Sequence, residues 1–92
     1  MFNTSTEVLE DIAVETVLQQ YHKLILHNDH VNTFDWVIDT LVEICGHTVE
    51  QAEQCSLFIH YKGKYAVKTG SFETLKPLKD AICDRGIGAT ID

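Results

Sequence analysis

Leu24-Ile25-Leu26-His27-Asn28-Asp29-His30 is an apolar run that ends abruptly in amide, carboxylate and imidazole side chains. Short, apolar and bounded by Asn-Asp, the segment from Tyr21 to Asn28 reads as a core strand. Working outward, Asn32 or Thr33 is placed to cap a helix. In it Phe34, Val37, Leu41 and Ile44 recur at helical spacing as one buried stripe, with a stop near Gly46. Thr48-Val49-Glu50-Gln51 has the capping-box spacing, a hydroxyl at the cap and an amide three residues on. It opens a second helix through Ala52, Cys55, Ile59 and His60 that stops at Gly63. Tyr65 to Thr69 reads as a second strand, and Gly70-Ser71 as the turn and cap of a third helix carrying Leu75, Leu78, Ile82 and Cys83. Pro77 asks for an irregular first turn or a start nearer Lys76. Arg85-Gly86 supplies a basic last turn and a stop, and Ile87 to Ile91 a last strand. The predicted order is β-α-α-β-α-β, a small α+β domain with its helices packed on one three-stranded sheet.

Ninety-two residues, 45% of them apolar, make one compact domain and not two. Residues 1–20 fit neither a helical nor a strand period cleanly, and are read as a flexible N-terminal extension ahead of a core domain at 21–92. No apolar run approaches the ~20 residues of a membrane span, and no secretory signal pattern opens the chain, so a soluble cytoplasmic protein is expected. The net charge of −7 argues against a nucleic-acid partner and favours a cationic or amine-bearing one. Glu7, Glu10, Asp11 and Glu15 make the first twenty residues purely acidic, whereas Lys62, Lys64 and Lys68 cluster later. Cys45, Cys55 and Cys83 show no C-x-x-C spacing and fall in helical apolar patterns, where reduced core thiols are expected. His27, His30, His47 and His60 complete no recognised zinc spacing, so neither metal nor cofactor is expected. A monomer is expected, since no surplus apolar stripe is evident.

The polar residues flanking these elements suit capture of a free peptide N-terminus, which is largely protonated near neutral pH. Asn28 offers an amide oxygen, Asp29 a carboxylate and a neutral His60 one ring nitrogen as acceptors. Phe34, Val37 and Ile59 lie on helical faces able to line an apolar recess for the first side chain, which is the N-terminal-amine mode of peptide recognition. Each residue also has an ordinary explanation. Asn-Asp after a strand forms turns, a histidine near a helix end is favoured by the dipole, and Phe34 and Val37 are core residues first.

From Tyr21 to Lys64, and more loosely to Asp92, the chain resembles the ClpS family of adaptors. The resemblance rests on the strand ending in Asn28-Asp29 and on the helix with Phe34, Trp36, Val37 and Ile38. It rests also on Glu50-Gln51-Ala52 with Gln54, and on His60-Tyr61-Lys62-Gly63-Lys64. It implies a non-enzymatic adaptor that carries N-degron substrates, proteins with bulky hydrophobic first residues, to a ClpA-type AAA+ unfoldase. Asn28, Asp29 and His60 match the positions that hold the substrate α-amine, and Phe34, Val37, Ile59 and Ile87 the side-chain pocket. Residues 1–20 match the extension that engages the unfoldase. The chain departs from the family with His30 in place of a second aspartate, with Val31-Asn32-Thr33-Phe34 in place of aromatic-Thr-Pro-Met, and with Ser56 where a methionine gate is usual. His30 and Asn32 are then expected on the polar rim, and Ser56 in the pocket, relaxing specificity toward Ile or Val. The alternative is an interaction domain that kept this fold and lost amine recognition.

Overall fold

The computed structural model describes residues 21–92; the extension expected at residues 1–20 lies outside them. The elements are β1 (His22–His27), α1 (Phe34–Cys45), α2 (Val49–Lys62), β2 (Lys64–Gly70), α3 (Phe72–Asp84) and β3 (Ala89–Ile91), the order expected from the sequence. β1 is the central strand of an antiparallel sheet of order β2-β1-β3. Its register pairs Leu26 with Tyr65 on one side and with Ala89 on the other, with one irregularity between Leu24 and Ile25.

Strand periodicity sends Leu24 and Leu26 to one face, where both are fully buried. The three helices close over them with Leu41 and Cys45 from α1, Ala52 and Ile59 from α2, and Leu75 and Ile82 from α3. Each fully buried leucine or isoleucine contributes about 1.5–3 kcal/mol, so the fold is held mainly by this single layer between sheet and helices.

Local chemistry sets every helix start. Thr33, Thr48 and Ser71 are the N-caps, their hydroxyls accepting from the N–H groups of Trp36, Gln51 and Thr74. Around Thr48 the capping box is complete, because the Gln51 side chain returns a bond to the Thr48 N–H.

Several expectations are corrected. Pro77 lies within α3, which starts at Phe72 because Ser71 caps it there. Pro77 has no N–H to offer the Glu73 carbonyl, and both residues lie on the exposed side of the helix. The buried residues of α1 are Thr40, Leu41 and Cys45; Val37 and Ile44 are only half-buried and Phe34 is 40% exposed. Cys83 is exposed, lying one residue round the helix from the buried Ile82. Cys45 is buried and Cys55 half-buried, and burial raises both thiols above their ordinary value, away from reactivity. α2 exposes Leu57, Phe58 and Tyr61, since only Ala52, Ser56 and Ile59 of that helix are buried. No helix among the described residues is long and apolar enough to cross a membrane.

Candidate functional site

The end of β1, the loop after it and the last turn of α2 are tied together by one backbone bond. The Asn28 N–H donates to the Gly63 carbonyl at 2.8 Å. Gly63 caps α2 in the left-handed region (φ 86°), its own N–H donating to the Ile59 carbonyl at 2.9 Å. This closure brings His60 over the loop that carries Asn28 and Asp29. Between them opens a cavity of about 340 Å³.

Asp29 organises the loop. Its Oδ1 accepts from the backbone N–H groups of Val31 (2.9 Å) and Asn32 (2.8 Å), and its Oδ2 from the Asn32 side-chain amide at 2.6 Å. The turn expected of an Asn-Asp pair is thus present, and Asp29 forms it. The same bonds, led by the Asn32 backbone N–H, hold the Asp29 carboxyl below the usual carboxylate range, with nearby His30 adding to them and partial burial opposing. Oδ1 is used twice and Oδ2 once, so Oδ2 keeps an open acceptor direction.

Asn32 does more than edge the cavity. Its Nδ2 bridges Asp29 Oδ2 and the Gly86 carbonyl (2.9 Å), pinning the loop to the chain just after α3. Sequence reasoning had no means to see this strut, because Gly86 is 54 residues away. His30 is exposed and lines the same cavity.

Among the described residues neither the Asn28 side chain nor the His60 imidazole meets a hydrogen-bond partner. The His60 ring instead stands edge-on to Phe34 and Tyr61, at centroid distances of 6.3 and 5.1 Å. Phe34, Val37 and Ile59 form the apolar wall, with Ser56 beside them. Ile87 does not reach this cavity. Buried just after α3, it lines an adjoining recess of about 20 Å³ behind Val37 and Ile59, room for a single water.

The arrangement therefore joins an anionic or neutral acceptor set to an apolar wall at one mouth. Among the described residues, no three His, Cys, Asp or Glu side chains are grouped so as to hold a metal ion. Fold and site together define a small α+β domain with an acceptor-rimmed, apolar-walled surface cavity.

Residues 18–88 match the family model for ClpS, the ATP-dependent Clp protease adaptor protein. This chain belongs to the ClpS family. It is 30% identical over 67 residues to the ATP-dependent Clp protease adapter protein ClpS of Streptomyces coelicolor, covering 73% of this chain and 70% of that protein. It is 40% identical over 43 residues to the adapters of Serratia proteamaculans and Erwinia tasmaniensis, covering 47% of this chain. The match spans only 41% of the length of those two relatives. Its fold is similar to Agrobacterium tumefaciens ClpS2 in a structure bound to L-phenylalaninamide (TM-score 0.69, 16% identity, 80% of this chain and 96% of that one).

Proposed function

We propose that the cavity receives the free α-amine and first side chain of a protein N-terminus, and that the chain presents such proteins to an AAA+ unfoldase of the ClpA type. One observation carries the reading. Asn28, Oδ2 of Asp29 and His60 bring open acceptor positions to the mouth of a cavity whose wall is Phe34, Val37 and Ile59. A protonated amine has three donors and one charge, and needs such a set; a neutral His60 meets it with a ring nitrogen lone pair. L-phenylalaninamide, held by the structurally similar ClpS2, has the same two parts, an α-amine and an apolar side chain. The chain's negative net charge further favours approach of a cation.

Magnitudes are consistent with a carrier. Two or three charge-assisted hydrogen bonds at about 1.5–3 kcal/mol each, plus about 1.5–3 for one buried large side chain, approach the ~8 kcal/mol of a micromolar complex once ordering costs are subtracted. Such a complex holds cargo and still releases it.

Calorimetric titration with a short peptide beginning in Phe, free or acetylated at its N-terminus, tests the proposal. One-to-one binding of the free peptide alone is expected. Equal binding of both forms, or of neither, rejects amine recognition and leaves an interaction domain of the same fold. Peptides beginning in Ile or Val, run alongside, show whether Ser56 in place of the gate relaxes specificity.

A further inference from the structure

We propose that Ser56 tunes the cavity toward a first side chain whose far end makes hydrogen bonds, tyrosine foremost. The inference rests on the amine-receptor reading above and deepens it. Ser56 is 3% exposed, and its Oγ is buried with no hydrogen-bond partner. A serine within a helix ordinarily returns its hydroxyl to the carbonyl four residues back, and Ser56 makes no such bond. The residue nonetheless lines the same cavity as His60.

Ser56 precedes His60 by four residues on α2, so both lie on one face of the helix, about 6 Å apart along its axis. A ligand whose amine sits at His60 and Asp29 therefore extends its side chain along α2 toward the Ser56 hydroxyl. The wall around that hydroxyl, Val37 and Ile59, offers neither donor nor acceptor. Leucine or phenylalanine seated there leaves the buried hydroxyl without a partner. A phenol both donates and accepts, so it pairs with Ser56 in whichever sense the hydroxyl turns. Short hydroxylated side chains leave most of the roughly 340 Å³ unfilled. An indole N–H can only donate, which places tryptophan second.

The test is calorimetry on the full chain, wild type, Ser56→Ala and Ser56→Thr. Three free-amine peptides are used, differing only in a first residue of Tyr, Phe or para-methylphenylalanine. In the wild type Tyr is expected to bind about fivefold tighter than the other two, the worth of one net hydrogen bond. That preference falls below about twofold in Ser56→Ala and survives in Ser56→Thr, which keeps the hydroxyl. A Tyr preference unchanged in Ser56→Ala, or a para-methylphenylalanine peptide matching Tyr, overturns the inference and leaves the receptor reading intact. If no free-amine peptide binds any of the three proteins, the receptor reading falls and this inference with it.

Discussion

Asp29 serves the loop and the cavity with one carboxylate. The N–H groups of Val31 and Asn32 saturate Oδ1, and the side-chain amide of Asn32 takes one direction of Oδ2. What is left for a ligand is a single oriented lone pair on a group kept charged. Replacing it by Asn puts an amide nitrogen or a less basic oxygen where Asn32 Nδ2 now donates, so the loop loosens as the charge is lost. Asp29→Asn and His60→Ala are each expected to weaken the free-amine peptide at least about tenfold, as for loss of a charge-assisted bond. His60→Ala leaves the thermal transition in place, because His60 is exposed. The pH dependence has a definite sign. A carboxyl whose folded value is depressed stabilises the fold above its ordinary value of 3.8, and that contribution is lost as pH falls through the lower folded value. The stability gap between wild type and Asp29→Asn therefore closes only in acid below that value, and a gap constant with pH in urea titrations counts against the Asp29 bonds. That Asn28, Asp29 and His60 come to one cavity was legible in the sequence, because each lies where an element ends and its stop signal follows. The Asn32 bridge to Gly86 and the unpaired hydroxyl of Ser56 were not, since both depend on what tertiary packing sets opposite them.

At the scale of elements, the hinge of the site is the end of α2. Gly63 carries a positive φ, and its carbonyl takes the Asn28 N–H, so one residue both stops the helix and sets the spacing of His60 from the loop. A Cβ at Gly63 meets nothing within 4 Å, which isolates the backbone cost of a left-handed residue. Gly63→Ala should then cost about 1–2 kcal/mol, with Asn tolerated better than Ala. Thermal melts read this directly, as a fall in Tm of several degrees for a domain of this size. An unchanged Tm means that α2 does not end on a left-handed Gly63. Caps and stops of this kind were readable in advance because a cap is local chemistry among residues three or four apart. The Ser71 cap was read for the same reason, and only the alternative start nearer Lys76 that Pro77 raised falls away. Cys83 was misread because one residue of rotation separates a buried position from an exposed one on α3.

For the whole molecule, the question is whether binding and delivery are separable. Among the described residues, the buried apolar core runs from Leu24 to Ala89, and every group assigned to the cavity lies between Asn28 and His60. Residues 1–20 hold Glu7, Glu10, Asp11 and Glu15 and no Lys or Arg, four of the seven net negative charges. If this acidic segment engages the unfoldase while the remainder receives the peptide, removing it must spare one activity and abolish the other. A chain of residues 21–92 is expected to melt within about 2 °C of the full chain, equivalent to less than ~0.5 kcal/mol at this size. It should bind the Phe peptide with the same affinity. A reporter protein beginning in Phe should nevertheless no longer be degraded when ClpA-type unfoldase, protease and ATP are supplied. A drop in Tm of more than about 5 °C, or a tenfold loss of peptide affinity, would make residues 1–20 part of the folded receptor. Degradation that persists in the truncated chain would instead move the unfoldase contact onto the α+β domain, where the exposed Leu57, Phe58 and Tyr61 of α2 become the next residues to change.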